Sequence, residues 1–383
     1  MSGSARRSTT AVNTSFQHVT PRELLEPAAD GRPAFMTGAF GRTPWVVRWD
    51  LVPESRRRGL VFDLVRDGLT HSTSGTSGTP RQWYRDTGQA WCEAELLAGL
   101  LGPDRPDAIM SFAPPEHSYG TWTSVLLGAE LGVPSWYRTG HGPPIPGAAG
   151  SRWVVVTIPS AFGTMRRELD WFEGVQTAVL HSTAMLPAVA DEVVARLGPD
   201  RCRLIELFGS TETATIALRQ HGEPPGEWAL LPDVRFTADV PRAGDEFRLH
   251  VRSPRLAREP GRPRPDSWLM DDWVRRTGPA RFRFEGRRSR LVNVNGVRVD
   301  LDAVEARLRA AVPGVDLACV PTRDPVRGEH FELLVVSPPA VPYDRLAAAF
   351  ERLGVCPRAI APVAAIDRSS TGKVRSMQFG RPR

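Results

Sequence analysis

The sequence is poor in cysteine pairs and in long apolar segments, and each absence excludes a class of protein. Its 383 residues include four cysteines that lie far apart without a CxxC pair, which argues against a zinc site and a disulfide framework. No apolar run reaches the roughly 18 residues of a membrane-spanning helix, so we expect no membrane partner. Residues 1–20 lack the apolar segment of a secretory signal. The sequence therefore predicts a cytoplasmic protein.

Lysine is almost absent. Of the 49 lysine and arginine residues one is a lysine, Lys373, which lies in a short loop beside Gly372. Lysine carries a compact point charge on a thin stem, whereas arginine carries a planar fork. A narrow site in which one cation touches two anionic oxygens could accept lysine and reject arginine. The alternative is that a single lysine remained by chance in a chain biased toward arginine.

The excess of positive charge is spread along the chain. The formal net charge is +6 and the pI is near 9.6, but the longest basic run is only 56–58, beside scattered pairs such as 287–288. A nucleic-acid-binding protein usually concentrates its basic residues on one face or in a tail. Scattered arginine fits an anionic small substrate such as a nucleotide better, so we predict no nucleic-acid partner.

The apolar pattern predicts an α/β fold. Short apolar runs alternate with helix-like stretches between about residues 60 and 215, which is typical of a mainly parallel sheet covered on both faces by helices. Antiparallel strands are expected over 228–253, followed by a loop over 254–267. The predicted strands of the first part are 108–112, 153–158, 178–180 and 204–208, and the predicted helices are 87–101 and 187–197.

A second, smaller α+β domain is expected at the C-terminal end. We divide the chain into a large N-terminal domain over 1–286 and a small mobile domain over 287–383. Asp302 is predicted to cap a helix that runs through Leu308, with Glu305 as its capping partner. The other elements predicted in this domain are strands at 297–299, 317–321, 331–337 and 362–366, and a helix at 343–353.

The segment 73–81 is the strongest local signal in the chain. It is dominated by glycine, serine and threonine and closes with Arg81. Glycine lets the backbone approach a ligand closely, and successive N–H groups and hydroxyls form a cradle for an anion. A flexible Ser/Gly linker is the alternative, but the strand patterns on both sides argue against it. The Walker pattern GxxxxGK[ST] is absent.

This loop resembles the phosphate-binding signature of the adenylate-forming superfamily. That superfamily holds acyl- and aryl-CoA synthetases, the adenylation domains of peptide synthetases, and firefly luciferase. The resemblance continues in the family's order over residues 72–376, and it implies a chain shortened at its N-terminal side. The residues that the resemblance assigns to the nucleotide are Thr73, Ser74, Gly75, Thr76, Ser77, Gly78, Arg81, Ala184, Phe208, Gly209, Ser210, Asp272 and Arg287.

The segment 208–212 resembles the family's nucleotide-binding strand end. There the aromatic Phe208 would stack on adenine, Thr211 would bind the α-phosphate, and Glu212 would help hold Mg²⁺. A hard carboxylate oxygen suits magnesium. A strand end followed by a capped helix is the alternative interpretation of the same residues.

The ribose and hinge positions follow farther along the chain. The resemblance places Asp272 on the ribose hydroxyls, with Asp271 left open as its substitute, and Arg287 beside the ribose. Ser289 stands where many members carry the hinge aspartate, so it marks the predicted hinge. Ala184 lies in the small-residue turn that faces adenine in the family.

The last two assignments concern the acid. Lys373 falls in the loop that resembles the family's catalytic-lysine loop, and a fixed cation there would stabilise charge that develops on departing pyrophosphate. His117 and Tyr119 fall in the segment that forms one wall of the family's acid pocket. A surface histidine at a helix start is the alternative for His117. Of three nearby aromatic residues, Trp122, Trp136 and Tyr137, we expect at least two to fill the core.

The implied activity is ATP- and Mg²⁺-dependent activation of a small carboxylic acid as an acyl-adenylate, with release of pyrophosphate. The acceptor implied by the family is the thiol of coenzyme A or of a phosphopantetheine carrier protein. Two alternatives stay open: delivery to an amine, hydroxyl or other nucleophile, and a non-catalytic nucleotide-binding relative. The shortened N-terminal part predicts exposed sheet edges, and therefore a homodimer or a partner subunit.

Overall fold

The computed structural model describes most of the chain. The described residues are 15–73, 81–102, 105–139, 142–145, 151–182, 186, 188–222, 226–238, 241, 244–287, 290–294, 297–324, 328–336, 342–368 and 374. They form two compact units. The first is Met1–His71, Tyr84–His181 and Val193–Leu204; the second is Ser72–Trp83, Ser182–Glu192 and Ile205–Arg383.

The strands, in chain order, are β1 Gln17–Val19, β2 Trp45–Arg48, β3 Leu69–Thr73, β4 Arg81–Arg85, β5 Ala108–Ser111, β6 Pro134–Tyr137, β7 Arg152–Thr157, β8 Gln176–Ser182, β9 Cys202–Ser210, β10 Ala214–Gln220, β11 Glu227–Leu230, β12 Arg235–Phe236, β13 Glu246–Arg252, β14 Trp268–Gly278, β15 Arg281–Arg287, β16 Leu291–Val294, β17 Val297–Asp300, β18 Leu317–Asp324, β19 Gly328–Val336 and β20 Ile360–Val363. The helices are α1 Pro21–Leu25, α2 Glu54–Leu64, α3 Thr87–Leu100, α4 Ser118–Gly120, α5 Leu127–Leu131, α6 Ala161–Arg167, α7 Leu169–Glu173, α8 Ala188–Leu197, α9 Leu301–Ala311 and α10 Tyr343–Leu353. A π-helical turn, Thr121–Leu126, joins α4 to α5, and short 3₁₀ turns lie at Ala34–Met36 and Trp49–Leu51.

The first unit is built on a mainly parallel sheet in the order β1-β2-β6-β5-β7-β8. Strands β6, β5, β7 and β8 run parallel to one another, whereas β2 pairs antiparallel with β6. The central strands are apolar along their length: all of β5 is buried, and so is β7 from Trp153 onward. Strands covered on both faces carry such continuous apolar runs. The predicted parallel sheet is therefore confirmed.

Local sequence signals fix the ends of the helices. Helix α3 begins at a capping box, in which the Asp86 carboxylate accepts the Gln89 N–H at 2.8 Å and the Gln89 side chain accepts the Asp86 N–H at 3.2 Å. Helix α10 ends at Gly354, whose φ of +63° suits glycine. No helix within the described ranges is long and apolar enough to cross a bilayer.

The second unit contains an antiparallel sheet in the order β9-β10-β11-β15-β14-β13-β12. Every neighbouring pair in it is antiparallel, which confirms the antiparallel strands expected over 228–253. The same unit holds the hairpin β16-β17 and the three-stranded sheet β18-β19-β20. Helices α9 and α10 share a buried core with these small sheets. The small α+β element at the C-terminal end is confirmed, while the boundary at residue 286 stays a prediction.

The N-cap predicted for α9 is wrong by two residues. Asp300, not Asp302, caps the helix, because its carboxylate accepts the N–H groups of Asp302 (2.9 Å) and Ala303 (3.3 Å). Glu305 is not a capping partner. It is buried, and its carboxylate accepts hydrogen bonds from Arg290 (2.7 Å) and from the Cys319 backbone N–H (2.8 Å).

The Glu305 carboxylate also binds Arg309 at 2.5 Å. Its loss would remove the acceptor of the Cys319 N–H, while Arg290 and Arg309 would keep backbone carbonyl acceptors. We expect Glu305→Ala to lower the free energy of unfolding by about 2–3 kcal/mol, since the two arginines keep partial access to water but the Cys319 N–H does not. Urea denaturation followed by circular dichroism measures it. Glu26→Ala, which removes an exposed ion pair with Arg22, is the control and should change stability by less than about 1 kcal/mol. Equal effects of the two substitutions would contradict the structural role of Glu305.

Candidate functional site

A tight turn joins β9 to β10 and presents two polar side chains at its tip. The Thr213 N–H donates to the Ser210 carbonyl at 3.2 Å, and the Thr213 hydroxyl accepts the Ser210 N–H at 3.0 Å. Thr211 and Glu212 lie between these two residues and are half-exposed. The Ala257 N–H binds the Glu212 carbonyl at 2.8 Å. The turn therefore has fixed backbone geometry, and the alternative of a strand followed by a helix is wrong.

The residues that flank this turn are under unusual backbone constraint. Ala214 has a φ of +57°, and it is the one non-glycine residue with positive φ in the described part of the chain. On the facing strand Gly209 is paired with Thr215, and a Cβ on Gly209 would lie 2.0 Å from the Ala214 carbonyl oxygen. A non-glycine residue in this region costs energy and is common at functional sites. Gly209 is thus required by the close approach of β10.

Phe208 lies in an aromatic cluster on the second unit. Its half-buried ring contacts Trp228, Phe282 and Phe284 edge-on, with ring centroids 5.1, 5.6 and 5.7 Å away. Edge-on contacts of this kind hold an aromatic ring in one orientation. Phe208, Thr211 and Glu212 all lie within five residues of sequence at the end of β9.

The two residues predicted to bind ribose lie on neighbouring strands. Asp272 of β14 is directly opposite Arg287, the last residue of β15, in the register of the antiparallel pair. Asp272 is buried, whereas Asp271 is exposed and paired with Arg248 at 2.8 Å. The exposed ion pair leaves Asp271 poorly suited to a second partner. Asp272 is therefore the buried member of this adjacent pair, and its assignment to the ribose stays a prediction.

The predicted wall of the acid pocket belongs to the first unit. His117 precedes α4 and is half-buried, and burial lowers its pKa while the charge of Glu116 opposes that effect. The Tyr119 hydroxyl donates to the Leu180 carbonyl of β8 at 2.7 Å. Because this bond uses the hydroxyl proton, we expect Tyr119 to meet a ligand through its ring. Both residues follow β5, at the edge of the parallel sheet where α/β proteins bind ligands.

The nearby aromatic residues are mostly core. Trp122 and Tyr137 are 2% and 1% exposed, while Trp136 is half-buried and packs on Trp153 with ring centroids 5.2 Å apart. The expectation that at least two of the three fill the core is confirmed. The Tyr137 hydroxyl donates to the Gly41 carbonyl at 2.7 Å, so its buried polar group is satisfied.

Several predicted residues lie outside the described ranges: Lys373, Ser74, Gly75, Thr76, Ser77, Gly78, Ala184 and Ser289. Their assignments stay predictions. Thr73 is the last residue of β3, and Arg81 is the first residue of β4 and is exposed. The segment assigned to phosphate therefore begins and ends on strands that pair with each other, as the sequence pattern suggests.

The Glu212 carboxylate suits a magnesium ion that a substrate helps to hold. The described residues contain no cluster of three or more His, Cys, Asp or Glu side chains that could hold a metal ion by themselves. Magnesium in nucleotide sites commonly takes one or two carboxylates and completes its shell with water and phosphate oxygens. A half-exposed carboxylate at the tip of a fixed turn suits that arrangement.

An open cleft of about 590 Å³ lies at the other edge of the parallel sheet. Its lining includes Asp107, Arg152, Gln176 and Arg201, which stand at the amino ends of the strands. Ligands of α/β sheets bind outside the carboxyl ends. The cleft is therefore separate from the residues assigned above.

Sequence reasoning missed a buried polar group in the first unit. His71 of β3 and Arg85 of β4 are 2% and 0% exposed, and both contact Trp122. The sequence could have indicated them only through polar or charged residues in the two short strands that flank the segment 73–81. Thr121, which binds His71, is 50 residues away along the chain.

Comparisons with known proteins agree with this architecture. No family model matches the chain. Over 185 residues it is 30% identical to a 4-coumarate–CoA ligase of Halorhodospira halophila, covering 46% of this chain and 45% of that protein. A 4-coumarate–CoA ligase of Rhodobacter capsulatus is 28% identical over 257 residues, with 64% and 58% covered. The chain thus spans about half the length of the curated relatives it matches.

Among solved structures, the o-succinylbenzoate CoA synthetase of Bacillus subtilis in complex with its acyl-adenylate superposes with a TM-score of 0.64. The two chains are 15% identical, and the match covers 82% of this chain and 69% of the other. Such a likeness establishes the fold. The predicted resemblance to the adenylate-forming superfamily is therefore confirmed, both in fold and in sequence similarity to CoA ligases.

Proposed function

We propose that this protein activates a small carboxylic acid with ATP as an acyl-adenylate and transfers the acyl group to the thiol of coenzyme A. The observation that carries the proposal is the turn between β9 and β10. It holds an aromatic ring, a hydroxyl and a carboxylate on fixed backbone at the end of one strand, which are the groups needed for a base, an α-phosphate and magnesium. The names of the curated relatives and the acyl-adenylate in the solved neighbour support the same reaction.

The chemical step needs positioning more than bond-making groups from the protein. The carboxylate of the substrate is already a nucleophile, so one of its oxygens attacks the α-phosphorus and the bond to pyrophosphate breaks. In the proposal the Thr211 hydroxyl donates to the α-phosphate, and Glu212 would help hold a magnesium ion, which would neutralise phosphate charge. Lys373 contacts the carboxylate and the α-phosphate and offsets the charge that develops.

The acid binds beside α4 in this proposal. His117 is half-buried, and burial lowers its pKa, so its imidazole is uncharged near neutral pH. A neutral imidazole can donate one hydrogen bond and accept another without carrying a full positive charge. The ring of Tyr119 gives an apolar wall. Rotation of the C-terminal part about the region of Ser289, as a hinge, would then admit the acceptor thiol.

The experiment that tests the function is pyrophosphate release across a panel of carboxylic acids, including aryl acids and short-chain acids. Trapping with hydroxylamine detects the adenylate. Adding coenzyme A, a phosphopantetheine carrier protein or simple amines then identifies the acceptor. A hydroxamate without a thioester would favour delivery to another nucleophile, and neither product with any acid would leave a non-catalytic nucleotide-binding protein. Scattering and sizing measurements test the predicted homodimer or partner subunit.

The ribose assignment gives a matched pair of substitutions on adjacent residues. We expect Asp272→Asn to raise the KM for ATP by about tenfold to a hundredfold, because the neutral amide loses charge-assisted acceptance from two hydroxyls. Asp271→Asn removes only an exposed pair with Arg248 and should leave this KM within about twofold. Steady-state kinetics at saturating acid measures both. A larger increase in the KM for ATP with Asp271→Asn than with Asp272→Asn would assign the ribose contact to Asp271 instead.

A further inference from the structure

A chain of hydrogen bonds in the first unit ties β3 to the loop that carries His117. The His71 Nε2 lies 2.9 Å from the Thr121 hydroxyl. That hydroxyl donates to the Pro115 carbonyl at 2.8 Å, and the Thr121 backbone N–H donates to the His117 carbonyl at 2.8 Å. Thr121 therefore holds the loop before α4 at two points, and His71 holds Thr121.

The bonding pattern fixes the tautomer of His71. A threonine hydroxyl has one proton, and here a carbonyl oxygen takes it. The Thr121 oxygen must then accept from His71, so the imidazole carries its proton on Nε2. Its Nδ1 is left as a buried acceptor that has no hydrogen-bond partner within the described ranges.

Packing around His71 leaves little room for rearrangement. Trp122 packs edge-on against the imidazole, with ring centroids 5.1 Å apart, and the Arg85 guanidinium lies over the same indole at 5.6 Å. Burial, together with the charges of Arg85 and His117, lowers the pKa of His71 to about 3. His71 is therefore neutral, and its role as a donor does not change between pH 5 and 9.

The loop itself is clamped from the other side. A Cβ on Gly120 would lie 1.9 Å from the Pro114 carbonyl oxygen, so α4 and the loop approach as closely as glycine permits. A shift of Thr121 would move Pro115 and His117 together, because Thr121 binds both of their carbonyl groups and Gly120 already packs tightly against Pro114. His71 is thus placed to set the position of His117.

We propose that His71 and Thr121 are positioning residues for His117, and that through them β3, the strand that leads into the predicted phosphate loop, sets the geometry of the acid site. This inference deepens the proposed function and rests on it. Loss of the hydrogen bonds from His71 to Thr121 and from Thr121 to the loop, here called the relay, should raise the KM for the acid more than the KM for ATP. The reason is that His117 belongs to the predicted wall of the acid pocket. A buried histidine that only stabilises the fold would instead change the melting temperature alone.

Paired substitutions separate these roles. His71→Leu and Thr121→Val remove the bond, whereas His71→Gln keeps an N–H donor near the Nε2 position and Thr121→Ser keeps the hydroxyl. We expect the first two to raise the KM for the acid by about tenfold, the factor for one lost buried hydrogen bond, and to change the KM for ATP by less than about twofold. The two conservative variants should stay within about threefold of the parent. The double variant should cost no more than the larger single effect.

Equal changes in both KM values, or a lower melting temperature with unchanged kinetics in every variant, would overturn the proposal. A second measurement does not depend on activity. With ¹⁵N-labelled histidine, NMR should show one imidazole protonated at Nε2 that does not titrate between pH 5 and 9 and that disappears in His71→Gln. The His117 signal should also shift in His71→Leu. If His71 titrates normally, the relay is wrong; if the relay is present but no acid releases pyrophosphate, the proposed function fails instead.

Discussion

Lys373→Ala is expected to slow pyrophosphate release by on the order of a hundredfold or more at saturating substrates, because in the proposed function its ammonium group offsets the charge that develops. The reason lies first in the composition: one ammonium is retained in a chain whose other basic residues are all arginine. The KM for ATP should change much less than kcat, since the contact is strongest in the transition state. Initial rates of pyrophosphate release with the best acid of the panel measure both constants.

Lys373→Arg is the sharper variant, because it keeps the charge and changes its shape. A planar guanidinium cannot enter a narrow gap between two anionic oxygens as an ammonium does, so most of the activity should still be lost. Arg262→Ala, which removes an exposed cation paired with Glu259 at 3.1 Å, controls for the general effect of charge and should be neutral. Wild-type adenylation by Lys373→Arg would show that the role assigned to this lysine is wrong.

The parallel part of the fold could be predicted because strands that are buried on both faces contain continuous apolar runs in the sequence. Strand β7 contains three consecutive valines between buried neighbours, and such runs are hard to place anywhere except the middle of a covered sheet. The helix cap at α9 shows the limit of that approach. The sequence predicts Asp302 as the cap, whereas Asp300 holds that position because β17 ends at that residue.

The candidate site was predictable where its residues are contiguous and unpredictable where they meet through the fold. The segment 208–212 carries its chemistry in sequence order, but the antiparallel turn that displays it depends on the Thr213 hydroxyl and on Ala214 with positive φ. The sequence already prefers Asp272 for the ribose, and the structure adds that Asp272 is buried opposite Arg287 while Asp271 is exposed and paired with Arg248. The contact of His71 with Thr121 spans 50 residues, so no local pattern could reveal it.

Gly209→Ala is expected to combine a loss of stability with a loss of activity. Its new methyl group would lie 2.0 Å from the Ala214 carbonyl oxygen, and the obstructing atom is backbone, so the turn itself must move. We expect the free energy of unfolding to fall by about 3 kcal/mol. Because Thr211 and Glu212 sit at the tip of this turn, a displacement of about 1 Å should lower kcat on the order of a hundredfold.

Gly59→Ala and Gly99→Ala are the matched controls, since each lies in a helix where an added methyl group meets no atom within 4 Å. Both should keep full activity and gain up to about 1 kcal/mol of stability from the better helix propensity of alanine. Urea denaturation and pyrophosphate release on the same preparations separate the two effects of Gly209→Ala. Below the unfolding transition the folded fraction stays near one, so a loss of kcat there reports the displaced turn and not unfolded protein. A Gly209→Ala variant with normal kcat would show that Thr211 and Glu212 do not act from this turn.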